Sequence, residues 1–350
     1  MLKIFMKKKN NSYLKFTKAS ISGITTCAGD KKVIFDKDYK KMGLKKKDVL
    51  KLSNNIGLKQ RYIVSDNQTI SDLCYFSSTK LLKGLNIKPN EIDGLILVSQ
   101  TTDYETPSTA IKLQHMLGIK KESLCFDINL GCSGFVYGLC VAYSLIQSGL
   151  NKILLCVGDI ASKIVNPLDH RTASLMGDAG SSILIEKKNS FSFFQLYSDG
   201  KGENALKMHK NLSKNKNNQK KYLEMDGAAV FSFSIKEVPN MIKRILRDTR
   251  INSSKIDYFI LHQPNKFMLE EIIKKLELNK KKVPHNTQTY FGNQNSASIP
   301  GTINGFLNKK FNNSKLRLIL GGFGVGLSWG AALIETDKIF CPKTYIFKKK

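Results

Sequence analysis

The chain has 350 residues, 41% of them hydrophobic, and its 56 Lys and Arg residues against 28 Asp and Glu residues give a formal net charge of +28. This length and apolar content predict a globular protein with a large core, built as one big domain or two smaller ones. The longest apolar stretches fall short of the roughly 18 to 20 residues that cross a bilayer, which excludes a transmembrane helix, so we expect no membrane partner.

The first residues, MLKIFMKKKNNSYLKF, are basic. They lack the apolar segment and the small-residue cleavage site of a signal peptide, so residues 1–18 are predicted to form a basic tail of a cytoplasmic protein. The seven cysteines are scattered with no CxxC pair, which argues against both a disulfide framework and a zinc site. We therefore expect no metal and no cofactor.

The positive charge comes almost entirely from lysine, with 50 Lys and only 6 Arg. Arginine is the residue preferred for bidentate contacts to phosphates and bases. Lysines spread over the whole chain, together with abundant Asn, therefore indicate a composition bias, and we expect no nucleic-acid partner. A nucleic-acid binder would instead show a steeply salt-dependent affinity for DNA. An acidic protein partner is a better explanation of the charge.

Two pairs of similar segments indicate a duplicated architecture. Residues 90–100, NEIDGLILVSQ, resemble residues 254–263, SKIDYFILHQ. Further along, GSSILIE ending at Glu186 resembles GAALIE ending at Glu335. Each segment combines a polar or glycine turn with an apolar, β-rich run. The two kinds of segment follow each other in the same order in both parts of the chain, which predicts two halves of alternating strands and helices.

We place one half at 19–190 and the other at 191–338, followed by a second tail at 339–350. Continuous apolar runs such as 153–157 fit strands that are buried on both faces. Residues 201–221 are rich in Lys and Asn, which predicts an exposed loop between elements of the second half.

The segment DINLGCSGFVYGL places Cys132 in a glycine-rich corner. A strand is predicted before it, at 124–128, and a buried helix after it that ends at Gly149. A thiol at a helix N-terminus meets partial positive charge and free N–H groups, which would lower its pKa and make Cys132 a nucleophile. This stretch alone fits a core cysteine at a tight turn equally well.

Two polar residues further on favour a catalytic site. His262 ends the apolar strand of the second half, in FILHQPNKF, and Asn293 lies in the glycine loop YFGNQNSASIP. In open α/β sheets, ligands bind beyond the carboxyl ends of the strands. A lone histidine or a loop asparagine is more often structural, so the placement of these residues, rather than their type, supports the catalytic interpretation.

These ordered motifs resemble the β-ketoacyl-acyl carrier protein synthase III family of thiolase-fold condensing enzymes, over about residues 19–337. NLGCSGF resembles the family's nucleophile elbow, HQPN its HQ-x-N motif, GNQNSASIP its GN-T-S-A-A-S-[IV]-P motif and GVGLSWGAALIE its glycine loop. The resemblance implies a thiolase-like α/β fold of five layers, αβαβα, with two pseudo-symmetric halves, assembled as a homodimer.

The resemblance also assigns roles to residues. It implies that Cys132, His262 and Asn293 are catalytic and that Gly326 supplies an oxyanion-hole amide. The residues expected in the substrate channel are Phe231, Asn265 and Arg171. The implied reaction is a decarboxylative Claisen condensation of an acyl primer, carried on Cys132, with malonyl-acyl carrier protein to give a 3-oxoacyl-acyl carrier protein.

The third catalytic position separates the relatives from one another. Elongating synthases of this fold have a second His where this chain has Asn293, and thiolases have a second Cys in the C-terminal glycine loop, where GVGLSWG has none. Cys-His-Asn therefore resembles the chain-initiating branch, although plant-type polyketide synthases share it. The alternative is an acyltransferase of the same fold that passes the acyl group to an amine or hydroxyl acceptor without decarboxylation.

The sequence departs from relatives that use acetyl-CoA. Those relatives hold the adenine with a Trp and an Arg, and the corresponding positions here are Lys51 and Asn55. Thr106 stands where many relatives have a bulky apolar residue that lines the partner's acyl pocket. We therefore expect the primer to be a different acyl-CoA or an acyl-carrier protein, used in fatty acid or specialised acyl-chain biosynthesis.

The stretch NKFMLEEIIKKLEL after His262 predicts an amphipathic helix. Its apolar face consists of Met268, Leu269, Ile272, Ile273 and Leu276. By the resemblance, an acidic carrier protein would dock on Lys266, Lys274 and Lys275. A solvated Lys/Glu face is the alternative interpretation, since Glu270 partly offsets the charge of Lys266.

Overall fold

The computed structural model describes residues 13–39, 45–209 and 222–348. Residues 1–12 of the expected N-terminal tail and residues 210–221 of the expected loop therefore lie outside the described residues. The helices are α1 Phe35–Asp38, α2 Lys46–Ile56, α3 Ile70–Leu85, α4 Thr109–Leu117, α5 Gly134–Gln147, α6 His170–Ala173, α7 Gly227–Thr249, α8 Lys266–Leu276, α9 Thr287–Phe291, α10 Ser298–Thr302 and α11 Asn308–Asn313. The strands are β1 Leu14–Phe16, β2 Ala19–Ala28, β3 Lys31–Ile34, β4 Gln60–Ile63, β5 Gly94–Val98, β6 Leu124–Ile128, β7 Lys152–Asp159, β8 Ala179–Lys187, β9 Ser192–Ser198, β10 Leu206–Lys207, β11 Glu224–Met225, β12 Tyr258–Leu261, β13 Leu316–Gly324, β14 Ser328–Thr336 and β15 Tyr345–Ile346.

Six strands form the sheet of the first half, in the order β15-β2-β8-β7-β5-β6. Strand β5 runs parallel to β6 and β7, whereas β8 is antiparallel to β7 and to β2. Every residue of β5 is buried, as is all of β7 after its first residue. These strands carry the continuous apolar runs of the sequence, because both of their faces are covered.

Five strands form the second sheet, in the order β1-β9-β14-β13-β12. Strand β12 is parallel to β13, which is antiparallel to β14, which is antiparallel to β9. The segments that resemble each other in sequence occupy matching places. Strand β5 is a parallel neighbour of β7, and β12 is the parallel neighbour of β13. Strands β8 and β14 are the antiparallel neighbours of β7 and β13. The prediction of two pseudo-symmetric halves is confirmed.

Helix α5 lies between the two sheets. Its buried residues pack in one apolar cluster with β5 and β7 of the first sheet and with β13 and β14 of the second. Helices α3 and α4 cover the outer face of the six-stranded sheet, and α7 and α8 cover the outer face of the five-stranded sheet. The layers are therefore αβαβα, as expected from the sequence.

Each end of the described chain joins the sheet of the opposite half. Strand β1, within the expected tail 1–18, pairs with β9, and β15, within the expected tail 339–350, pairs with β2. Side-chain burial holds β1 in place, since the ring of Phe16 packs on those of Tyr143 and Phe194. A division of the chain near residue 190 remains our proposal.

A close backbone contact between the halves predicts the effect of a single methyl group. A Cβ at Gly322 in β13 would lie 2.8 Å from Ser133 Cα and 3.1 Å from the carbonyl oxygen of Cys132. Both are backbone atoms, so no side chain can rotate away. We expect Gly322→Ala to lower the free energy of unfolding by about 1–3 kcal/mol, measured by denaturant unfolding.

Gly200→Ala is the matched control, because a Cβ there would meet nothing within 4 Å. It should change the free energy of unfolding by less than about 0.5 kcal/mol. If Gly322→Ala unfolds at the same denaturant concentration as the wild type, with the same dependence of the free energy on denaturant, the halves do not meet as closely as described.

Candidate active site

Cys132 lies in the turn between β6 and α5, as predicted from the sequence. Two close approaches require glycine on either side of it. A Cβ at Gly134 would lie 2.5 Å from Val98 Cγ1, and one at Gly131 would lie 2.3 Å from Gln100 Oε1. A larger residue at Gly134 would press on the end of β5, and one at Gly131 would displace the Gln100 side chain.

The thiol of Cys132 is surrounded by hydrogen-bonding groups. It donates to Asn295 Oδ1 over 3.0 Å, and the backbone N–H groups of Val325 and of Cys132 itself are near enough to the sulfur to lower its pKa. The sequence predicts Gly326 as the amide from the glycine loop, but the structure presents Val325. Strand β13 ends at Gly324, so Val325 is the first residue beyond it, and Gly326 follows with a φ of 139°.

Burial raises the pKa of the Cys132 thiol to about 12, and the nearby Asp159 acts in the same direction. The N–H groups of Val325 and Cys132 lower the pKa by a smaller amount. The prediction that the helix end lowers this pKa is therefore wrong, because removal of the thiolate from water outweighs the field of the helix end. The resting thiol is neutral at pH 7.

His262 follows β12 directly and is 2% exposed. Its Nδ1 lies 2.7 Å from Ser298 Oγ, and its ring packs edge-on against Phe323 with centroids 5.4 Å apart. Burial lowers the pKa of His262 to about 3, against a smaller upward effect of a backbone hydrogen bond with Asn295. The imidazole is therefore neutral at physiological pH, so that one ring nitrogen donates and the other accepts.

Asn293 lies in the loop between α9 and α10, and its backbone is fixed on both sides. Its N–H donates to the carbonyl oxygen of Leu175 over 2.7 Å, and its carbonyl oxygen accepts from the N–H of Gly177 over 3.0 Å. The side-chain Oδ1 accepts from the N–H of Asn295 over 3.0 Å. Because the amide oxygen is engaged, the NH2 end of Asn293 is the end that can serve a ligand.

One cavity of about 120 Å³ brings these three side chains together. Its walls are mostly apolar, and they also include Gln100, Asn265, Asn295 and Val325. Asn265 is one of the three residues predicted for the substrate channel. It also caps α8, because its Oδ1 accepts from the N–H of Met268 over 2.9 Å.

The other two predicted channel residues lie outside this cavity. The ring of Phe231 stacks on that of Phe267, with centroids 5.4 Å apart. Arg171 pairs with Asp169 over 3.0 Å, and 76% of the Arg171 side chain is exposed to solvent. Neither residue touches the space around the thiol in this structure.

The predicted docking lysines lie on α8, whose apolar face is buried as predicted. Lys274 and Lys275 are exposed, and Lys275 Nζ donates to the carbonyl oxygen of Ile235 over 3.2 Å. Lys266 is half-buried, and its stem packs where a Cβ of Gly57 would be. The three lysines therefore run along a helix whose first turn borders the cavity.

Sequence analysis misses three residues of the site: Asn295, Val325 and Asp159. Asn295 and Ser296 stand where the family motif has Ser and Ala. This departure from the motif could have marked Asn295 as a residue of the site. Asp159 ends β7 inside the protein, where its carboxylate accepts from Ser296 Oγ over 2.8 Å and where burial raises its pKa to about 6. A carboxylate at the end of a buried apolar strand could have indicated the site.

Within the described residues, no group of His, Cys, Asp and Glu side chains is arranged to hold a metal ion. None of the helices described is long and apolar enough to cross a membrane. All seven cysteines are free thiols. The side chains of Lys51 and Asn55, at the expected adenine-clamp positions, lie outside the part of the chain that the structure describes.

The raised pKa predicts how Cys132 responds to alkylation. Iodoacetamide reacts with the thiolate, so the alkylation rate at Cys132 should rise about tenfold per pH unit from pH 7 to pH 10. Rates are measured by intact mass spectrometry, with Cys132→Ser identifying the site and circular dichroism checking the fold at each pH. A plateau near pH 9, as for a thiol with an ordinary pKa, would contradict the assignment.

The chain matches two family profiles. The profile of 3-oxoacyl-[acyl-carrier-protein] synthase III matches residues 126–200, and that of its C-terminal part matches residues 246–336. A Campylobacter jejuni protein, provisionally assigned as a 3-oxoacyl-[acyl-carrier-protein] synthase 3, is 34% identical over 96% of this chain and 99% of its own length. A β-ketoacyl-[acyl-carrier-protein] synthase III of Streptococcus agalactiae is 33% identical over 81% of this chain and 90% of its own.

A solved structure agrees with these sequence matches. The 3-oxoacyl-(acyl-carrier protein) synthase of Burkholderia xenovorans LB400 superimposes with a TM-score of 0.90 and 33% sequence identity, covering 96% of this chain and 99% of that one. Fold, motif order and the Cys-His-Asn cavity point the same way. The chain belongs to the 3-oxoacyl-[acyl-carrier-protein] synthase III family.

Proposed function

We propose that this chain catalyses the decarboxylative condensation of an acyl primer with malonyl-acyl carrier protein to form a 3-oxoacyl-acyl carrier protein. The observation that carries the proposal is one mostly apolar cavity that contains the Cys132 thiol, a buried neutral His262 and the Asn293 amide. These groups are the nucleophile and the two neutral donors that such a reaction needs.

In the first half-reaction, the sulfur of Cys132 attacks the thioester carbonyl of the primer. The new S–C bond forms, the bond to the carrier sulfur breaks, and the proton of the Cys132 thiol ends on the departing carrier thiol. The N–H groups of Val325 and Cys132, which lower the pKa of the thiol in the free enzyme, would stabilise the carbonyl oxygen as it gains negative charge.

In the second half-reaction, the malonyl group loses carbon dioxide. The electrons of the broken C–C bond pass to the thioester carbonyl, which becomes an enolate oxygen. When the Ser298 hydroxyl donates to Nδ1 of His262, the ring carries its proton on Nε2, and that N–H donates to the enolate oxygen together with the NH2 group of Asn293. The enolate carbon then attacks the acyl group and the Cys132 sulfur leaves.

The state of His262 favours condensation over the alternative, transfer of the acyl group to an amine or hydroxyl. A general base that activates such an acceptor works best with a pKa near the operating pH. Burial lowers the pKa of His262 to about 3, so the ring is a poor proton acceptor at pH 7. A neutral imidazole of this kind is suited to donate a hydrogen bond to an enolate.

The substrates and setting follow from the same proposal. The primer is an acyl-CoA or an acyl-carrier protein, the extender is malonyl-acyl carrier protein, and the protein works as a homodimer in the cytoplasm. Phe231 and Arg171 keep their proposed place along the outer substrate channel, beyond the cavity around the thiol. No cofactor takes part, because the electrons for the new C–C bond come from the lost carboxylate.

The two half-reactions separate the roles of the three residues. Cys132→Ala should accept no acyl group. His262→Ala and Asn293→Ala should still acylate Cys132 but release carbon dioxide from malonyl-carrier protein about 10²- to 10³-fold more slowly, as when one oxyanion donor is removed. Acylation is followed by intact mass and decarboxylation by release of label from the free carboxyl group.

Asn313→Ala, at an exposed asparagine on α11, is the control and should match the wild type in both assays. Near-normal carbon dioxide release by both His262→Ala and Asn293→Ala would remove these residues from the mechanism. Transfer of label to an amine without carbon dioxide release would favour the alternative function.

The lysines of α8 provide a proposed dock for the acidic carrier protein. Reversal of Lys266, Lys274 and Lys275 to Glu should weaken carrier binding mainly through slower association, with a larger effect at low salt. Acylation by a small acyl-pantetheine should be unchanged, since that substrate does not use the helix. Stopped-flow association and kcat/KM at two ionic strengths measure both effects.

The matched control reverses three exposed lysines elsewhere, Lys309, Lys310 and Lys338, and makes the same change in net charge. It should slow association less than the α8 variant. Equal effects of the two triple variants would mean that the carrier responds only to total charge, and no effect of the α8 variant would mean that it docks elsewhere.

A further inference from the structure

Two amide side chains lie directly beside the nucleophile. A Cβ at Gly131 would lie 2.3 Å from Gln100 Oε1 and 3.1 Å from Asn295 Oδ1. The glycine next to Cys132 therefore leaves the space that two amide oxygens occupy. Gln100 and Asn295 line the same cavity as the thiol, so both oxygens border the volume that an acyl group on Cys132 would enter.

Asn295 is held so that its oxygen faces the sulfur. Its φ of 49° lies in the left-handed region, which Asn adopts more readily than most residues. Its backbone N–H donates to Asn293 Oδ1 over 3.0 Å, and its own Oδ1 accepts from the Cys132 thiol over 3.0 Å. The backbone, rather than a mobile side chain alone, sets the position of this amide.

One buried carboxylate anchors the segments that carry both amides. Asp159 is 0% exposed. It accepts from the backbone N–H of Gln100 over 2.7 Å and from the hydroxyl of Ser296, the residue after Asn295, over 2.8 Å. The segment that carries Gln100 and the segment that carries Asn295 are thus tied to the same group, which holds the two segments close together.

Acylation changes the hydrogen bonding of Asn295, an inference that rests on the proposed function. The S–H bond of Cys132 is replaced by a bond from sulfur to the acyl carbon, so Asn295 Oδ1 loses the donor that it has in the free enzyme. An acyl chain that fills the apolar cavity also displaces water. A buried acceptor left without a donor disfavours the state that contains it.

We propose that Gln100 and Asn295 form a subsite for a hydroxyl group on C2 or C3 of the acyl primer, which donates to the oxygen that the thiol has left. The position follows from the 3.0 Å between Asn295 Oδ1 and the sulfur, because only a hydroxyl on the first carbons after the thioester stays that close. The apolar walls hold the rest of the chain. Sites that hydrogen-bond a substrate hydroxyl discriminate against the analogue that lacks it.

The test compares three pantetheine thioesters, butyryl, 2-hydroxybutyryl and 3-hydroxybutyryl, in the acylation of Cys132 followed by intact mass spectrometry. The wild type should react with at least one hydroxylated thioester about tenfold faster than with butyryl. Asn295→Gly keeps the left-handed backbone accessible while removing the amide, and it should bring this ratio close to one. Gln100→Met, similar in size but without an amide, should lower the ratio.

Ser234→Ala is the matched control, because the Ser234 hydroxyl already donates to the carbonyl oxygen of Val230 in its own helix over 2.7 Å; it should keep the wild-type ratio. Equal acylation rates with all three thioesters in the wild type, or a preference for a hydroxylated thioester that survives in Asn295→Gly, would overturn the subsite. The proposed function would still stand in that case, because butyryl thioester acylates Cys132. No acylation by any thioester would overturn both. If one variant fails to fold, as judged by circular dichroism, the wild-type ratio and the other variant decide.

Discussion

The arrangement of the site depends on the contact between the backbone of β13 and the turn that carries Cys132. A Cβ at Gly322 would lie 2.8 Å from Ser133 Cα, and one at Gly324 would lie 2.8 Å from Cys132 Sγ. Backbone meets backbone here, so strand packing sets the position of the sulfur relative to the N–H of Val325. His262 follows β12, the parallel neighbour of β13, so the same sheet brings the imidazole to the thiol.

Burial shifts the pKa values of the Cys132 thiol and the His262 imidazole in opposite directions and leaves both groups neutral. It raises the pKa of the Cys132 thiol and lowers that of the His262 imidazole, because removal from water penalises a thiolate and an imidazolium alike. On a chain with a formal net charge of +28, the thiol and the imidazole are therefore both uncharged at rest, whereas Asp159, with a pKa raised by burial to about 6, is the group of the site that titrates near neutral pH. Away from water, fixed N–H donors stabilise a transient negative charge more strongly than water-exposed ones would.

Local patterns predict much of this structure. The turn at Cys132 could be predicted because strand, glycine and helix signals lie within a few residues, and the matching of β5 with β12 could be predicted because both keep the same polar turn and apolar run. The pKa of the Cys132 thiol could not be predicted, since it depends on atoms of the other half that cover the turn. Val325 was missed because the residue at which β13 ends decides which amide faces the sulfur, and the sequence GVG does not mark that end. The roles of β1 and β15 depend on pairing partners far along the chain.

The exchange of strands between the halves bears on how the protein is made. Tyr345 pairs with Cys27, more than 300 residues earlier, so the first sheet cannot be completed until residues 345–346 have left the ribosome. During synthesis, the edge of β2 that later binds β15 is an unpaired strand edge, of the kind that promotes association between nascent chains. Pairing of β15 with β2 is therefore the closing step of a sheet whose other strands were translated long before.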